Sequence, residues 1–289
     1  MTAKSTQKIR IGSYLSYGLT LVVLASSCTF SYAQDDSPRV VHVFVALCDN
    51  ANQGIVPVPA KLGNGDDPHH NLYWGAMYGV KSFFKRSPHW SFIATVPTPP
   101  APENSKPWRW DGKGTPILER CLFRHTKQKD VYLIADAYRG RHIKQAVSDF
   151  LTAVSGQTKS NLVFQSPSGE IEVASHGNAA LSVYVGHNGL MDFNLRAFPK
   201  KADHQVRDAI ILGCVSKPYF REAIEAAGAA PLVWTTGLMA PEAYSLEAVL
   251  EAWIAGDTGE ICRVRAAEAY HSYQKCGLKA AKRLFVTGF

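Results

Sequence analysis

Six short apolar runs constrain the fold of this chain more than any other feature: "VVHVFVAL" at 40–47, "SFIATV" at 91–96, "VYLIADA" at 131–137, "LSVYV" at 181–185, "AIIL" at 209–212 and "PLVWTT" at 231–236. Most are continuous rather than alternating. A strand with one wet face alternates polar and apolar residues, so a continuous run predicts a strand buried on both faces. Between the runs, apolar residues recur at helical spacing over 71–86, 142–154, 218–227 and 241–255. Pro218 and Pro241 suit a first helical turn, and Gly228 and Gly256 suit a stop. Strand alternating with helix predicts an α/β fold, a three-layer α-β-α sandwich around a mostly parallel six-stranded sheet.

Three segments fall outside that alternation. "PTPPAPENSKP" (97–107) is too proline-rich for a regular element and predicts an exposed loop. "NLVFQSPSGEIEV" (161–173) predicts a hairpin about Ser-Pro-Ser-Gly. "NQGIVPVPAKLGNGDDPHH" (52–70) is a long loop directly after the first strand, the kind that in compact domains carries function or stays disordered.

The first 33 of the 289 residues predict a signal peptide. Lys4, Lys8 and Arg10 precede "LTLVVLA" (19–25), which is too short to span a bilayer, and Ser31-Tyr32-Ala33 offers small residues for cleavage after Ala33. A lipoprotein signal through Cys28 is the alternative. The expectation is an exported chain, periplasmic or secreted, with 34–289 as a single domain and no later stretch long enough for a membrane helix. Segment 1–33 holds three cations and no acids, so the formal charge falls from +7 to 7 − 3 = +4. Without a Lys/Arg cluster interleaved with aromatics, that mild excess predicts no nucleic-acid partner. Five cysteines remain, Cys48, Cys121, Cys214, Cys262 and Cys276, and an odd number leaves at least one thiol unpaired or intermolecular. Cys262 and Cys276 fall in a segment that reads as one helix, about 21 Å apart along its axis, too far to bridge.

Two runs end in chemistry. "LSVYVGHNGL" (181–190) stops at Gly186-His187-Asn188-Gly189, and "DAIILGCVSK" (208–217) stops at Gly213-Cys214. Ligands of open α/β sheets bind beyond the carboxyl ends of the strands. Adjacent parallel strands lie about 4.8 Å apart, so consecutive runs predict an imidazole and a thiol within reach of each other. The amide of Gly189 or of Cys214 can face a developing oxyanion. Taken singly, a cysteine after a buried strand is more often packing, and a loop histidine more often a capping residue; it is their coincidence that points to a site.

The order of apolar strand, His, Gly, apolar strand, Cys, helix and strand, carried by "VYVGHNG" and "IILGCVSK", resembles the caspase, legumain and gingipain cysteine peptidases over residues 39–255. The resemblance implies a caspase-like fold, a peptide or protein substrate, Cys214 as nucleophile, His187 as general acid and base, and no cofactor or metal. It departs from that family at Asn188, where glycine usually follows the histidine, and in the short spacing of 214 − 187 = 27 residues. It also implies that Asn50, with Asp49 as alternate, orients the histidine, although both residues equally suit a turn cap. Thr235, Thr236 and Glu242 follow the strand that borders the specificity pocket in that family; Glu242 at a helix start is explained by the helix dipole alone. Asp192 can bind a cationic substrate group or cap a strand. "ASHGN" (174–178) carries a literal Ser-His-Gly, but His176 precedes the buried strand and so falls at its wrong end.

Two other functions fit the same residues. One is a catalytically inactive relative that keeps the fold as a binding module. The other is a metal-assisted hydrolase using Asp66, Asp67, His69 and His70 of the 65–71 loop, although their spacing matches no closed zinc site and a helix start at Asp67-Pro68 accounts for most of it.

Overall fold

The computed structural model describes residues 38–97, 115–167 and 169–289. The segment expected to be a signal, with Cys28 and Ala33, and residues 98–107 of the proline-rich segment lie outside the described residues. Among the described residues there are ten strands: β1 (Arg39–Ala46), β2 (Trp90–Pro97), β3 (Ile117–His125), β4 (Val131–Tyr138), β5 (Lys159–Ser166), β6 (Gly169–His176), β7 (Leu181–Val185), β8 (Asp208–Leu212), β9 (Ala230–Thr235) and β10 (Phe285–Val286). Six α-helices accompany them among the described residues: α1 (Val80–Arg86), α2 (Ile143–Val154), α3 (Ser216–Ala227), α4 (Ala243–Ile254), α5 (Gly259–Gln274) and α6 (Leu278–Leu284).

The protein is α/β, and its main sheet has eight strands rather than six, in the order β10-β9-β8-β7-β1-β4-β3-β2. All six apolar runs are strands of it. The five central ones, β9, β8, β7, β1 and β4, run parallel, while β3 and β10 run against their neighbours. β1 lies at the centre and buries both faces, which is why its sequence does not alternate. Val41, Val43 and Val45 pack with residues of α1, α4, α5 and α6, while Phe44 and Ala46 pack with residues of α2 and α3. Each fully buried aliphatic or aromatic side chain contributes about 1.5–3 kcal/mol, so this two-sided core dominates stability. The predicted hairpin is β5–β6.

Two elements differ from expectation. Over 71–86 only 80–86 is helical. The amides of Trp74, Gly75 and Ala76 all donate to the Asn71 carbonyl, and a Cβ at Gly75 or Gly79 would collide with neighbouring backbone, so the chain winds in tight turns. The helix expected through Cys262 and Cys276 ends at Gln274, where Lys275 turns left-handed with φ 54°; both thiols, like the other three, are free. No helix among the described residues is long and apolar enough to cross a membrane.

A charged cluster lies inside the sheet. Arg120 of β3 forks onto Asp136 of β4 at 2.5 and 2.7 Å, and His42 Nε2 of β1 meets the same carboxylate at 3.0 Å. The His176 amide donates to His42 Nδ1 at 3.0 Å, and the His176 ring faces the hydroxyls of Ser160 and Ser175. Burial, reinforced by His42, pushes the His176 imidazole down to about 3, and burial also lowers His42. Both groups are therefore held neutral in the fold, while in the unfolded chain they charge below about 6.5. Their contribution to stability is complete above that pH and is lost as pH falls toward 3. Urea midpoints should drop steadily between pH 6.5 and 4, and His176→Asn, which tolerates the left-handed φ of 52° at this position, should flatten the slope. An unchanged slope would show that His176 does not carry the acid sensitivity.

Candidate active site

β7 and β8 are adjacent, parallel and in register, with Val185 opposite Leu212. The ladder stops at that pair, with the Gly186 amide still donating to Leu212 O at 3.1 Å. Beyond it the Gly186 carbonyl and the Asn188 backbone border Gly213. Asn188 ties the two tips together, its Nδ2 donating to the Cys214 carbonyl at 2.8 Å. Gly186 turns with φ 146°, where a Cβ would press on the Ala46 carbonyl of β1, so only glycine lets the histidine leave the sheet at this point.

His187 is 5 % exposed, and its Nε2 meets Asp192 Oδ2 at 2.8 Å. Tyr184 Oη donates to the His187 carbonyl at 2.7 Å and fixes the backbone beneath the ring. Asp192 closes a single helical turn, Gly189–Met191, capped by the Asn188 side chain accepting from Leu190 N. The Gly189 amide opens that turn and has no partner within it. Asp192 also accepts from the Gly54 amide at 2.9 Å, and a Cβ at Gly54 would collide with the carboxylate, so the long 52–70 loop docks on the histidine's partner.

Cys214 is partly exposed at the entrance to α3. Its Sγ accepts from the Met239 amide at 3.4 Å and faces the Met239 carbonyl at 3.5 Å. The next residue, Val215, holds φ 48°. A β-branched side chain in the left-handed region is an outlier, and strain of that kind is concentrated at functional sites. Three other thiols fit packing instead: burial pushes Cys48 and Cys262 up to about 11 and Cys121 up to about 12.

The remaining sequence candidates take other places. Asn50 does not reach for His187; its Nδ2 donates to Val58 O at 2.7 Å and its Oδ1 accepts from Val58 N at 3.1 Å, stitching the long loop. Asp49 caps its own turn through Ala51 N and Asn52 Nδ2. With Asn64 and Asp66, these residues line an open polar cleft of about 340 Å³ that neither His187 nor Cys214 borders. The side chain that meets the His187 ring is Asp192, not Asn50. In the sequence, Asp192 is five residues from the histidine, and nothing there distinguishes a partner from a cap.

Thr235 is fully buried and braces the Cys214 turn rather than lining a pocket. Its Oγ1 donates to the Gly213 carbonyl and accepts from Ser216 N at 3.2 Å. Thr235→Val would leave both groups buried without that partner, at about 1–3 kcal/mol each. A loss of at least about 1 kcal/mol in chemical denaturation is expected; no loss would mean the turn holds without it. Thr236 donates to Arg283 O at 2.8 Å and holds the last turn of α6. Glu242 precedes α4 without capping it; its carboxylate accepts from Tyr244 Oη and Gln274 Nε2, and burial raises its pKa against those two hydrogen bonds. His176 lies before β7, away from the tips that carry His187 and Cys214.

In the 65–71 loop three of the four candidate donors are already engaged. Asp66 pairs with Arg139 and Arg141, and Asp67 holds His70 Nδ1 at 2.7 Å and the amides of His69 and His70. Comparison with protein-family models, with curated proteins and with solved structures found no match to this chain.

Proposed function

We propose that this chain is an exported cysteine endopeptidase with a caspase-like three-layer core, acting through Cys214 and His187. The observation that carries the reading is the register of β7 and β8, whose tips deliver His187, already paired with Asp192, and Cys214, at the entrance to α3, to the same rim. The Cys214 thiolate attacks the peptide carbonyl, forming the S–C bond. The resulting oxyanion is met by a backbone amide, that of Gly189 or of Cys214 itself. With Nε2–H held by Asp192, His187 presents Nδ1 to the reaction; it takes the thiol proton and returns it to the leaving amine as the C–N bond breaks. Water, deprotonated by the same ring, then releases the acyl group. The substrate is a peptide or protein, and residues 1–33 supply the export signal.

The test is covalent labelling of the purified chain with a peptidyl acyloxymethyl ketone or epoxide, followed by peptide mapping. Modification confined to Cys214 and blocked by a competing peptide supports the reading. Failure of every such probe, together with no cleavage of a peptide library, would leave a catalytically inactive binding module.

A further inference from the structure

At the opposite rim, two carboxylates of α4 stand one turn apart. Glu247 and Glu251 each keep a solvent-sealed Oε1 without a hydrogen-bond partner among the described residues. Like charges at this spacing repel, and sealed carboxylate oxygens are costly to leave bare. Burial raises the Glu247 carboxyl despite a hydrogen bond from Ser87. Two imidazoles converge on the same place from the sheet edge. His89, just before β2, presents Nδ1, and His125, at the end of β3, presents Nε2; each lies 3.4 Å from Glu251 Oε2. The three donor atoms lie within 4.8 Å of one another.

That spacing is long for N–H···O hydrogen bonds, which peak near 2.9 Å. It matches something else: two ligands about 2.05 Å from a tetrahedral zinc ion are about 3.3 Å apart. We propose that His89, His125 and Glu251 form a binding site for a divalent transition-metal ion, zinc by donor type, with Glu247 beside it as a further oxygen donor. Two imidazoles with carboxylate select zinc over magnesium or calcium, which take oxygen ligands. The ion would join the β2–β3 edge to α4 across 251 − 89 = 162 residues of chain, far from the rim that carries Cys214, so its effect falls on stability rather than on catalysis.

One contact opposes loading and makes the site selective in a testable way. The Gln128 amide donates to His125 Nδ1 at 2.8 Å, so without metal the ring proton sits on Nε2 and faces Glu251. Zinc at Nε2 sends that proton to Nδ1 and opens the Gln128 contact, so binding is coupled to a shift of the turn after β3.

The purified chain, stripped with chelator, is titrated with zinc chloride by calorimetry and melted with and without the ion. One ion per chain is expected, with a dissociation constant below about 10 μM and a higher Tm. Glu251→Gln should weaken binding by about tenfold or more and abolish the Tm shift. Lack of binding at about 100 μM zinc, or equal binding by Glu251→Gln, would overturn the site. If that variant does not fold, cobalt added to the unmodified chain decides: visible bands of tetrahedral nitrogen and oxygen ligation support the site, and their absence overturns it.

Discussion

Cys214→Ala is expected to lower kcat/KM for any cleaved peptide by at least about 10⁴-fold, about 5.5 kcal/mol of transition-state stabilisation at 1.36 kcal/mol per tenfold. The loss is large because, in the proposed mechanism, the acyl bond forms on this sulfur. The nearby thiol of Cys48 is fully buried, with its pKa pushed up to about 11, and holds little of the nucleophilic thiolate. Stability is expected to change by less than about 1 kcal/mol, because Cys214 is partly exposed and its sulfur contacts only the Met239 backbone among the described polar groups. Unchanged activity in a folded Cys214→Ala protein would remove the mechanism, whereas a loss accompanied by unfolding would show that the residue is structural.

The second large effect is on folding. Asp136→Ala is expected to cost about 3–5 kcal/mol, because it leaves the Arg120 guanidinium and His42 buried without their shared partner. Burial by itself would raise the Asp136 carboxyl, but the Arg120 charge, its two hydrogen bonds and His42 outweigh it and hold the group well below the usual carboxylate range. With the folded value depressed, this contribution is present above the unfolded value of about 3.9 and is lost only as pH falls below it. At pH 7 the wild-type chain therefore has the full benefit. Urea denaturation at pH 7 measures the difference. A loss under about 1 kcal/mol would mean that the cluster barely exceeds its own desolvation cost.

That cluster also explains what the sequence could not show. β3 reads "ILERCLFRH", with Glu119, Arg120, Arg124 and His125 breaking the apolar pattern, so it carries no strand signal of its own. Each buried polar side chain is met from elsewhere in the chain: Glu119 by Lys81 and the Trp74 indole, Arg120 by Asp136, and His125 by Glu251. Partners that distant leave no periodic trace. β10, two residues long, is too short to mark itself. The central strands were legible because their burial on both faces forces continuous runs of Val, Ile and Leu.

At the site the same contrast holds. The strand-end positions of His187 and Cys214 were legible because each follows such a run beside a glycine. Asp192 and Met239 were not, since one reaches the histidine through a single helical turn and the other touches the sulfur with backbone atoms alone. Asn50 was misdirected by position: it follows the correct strand tip, but the long loop folds back and captures its side chain through Val58.

The most direct test of the central claim is a crystal structure of the chain trapped by a peptide aldehyde. The expected result is a thiohemiacetal on Cys214 Sγ, with a His187 ring nitrogen within about 3.5 Å of the sulfur or the new oxygen and Asp192 still on the other ring nitrogen. An adduct on another residue, or a His187 ring turned away from an adduct on Cys214, would contradict it.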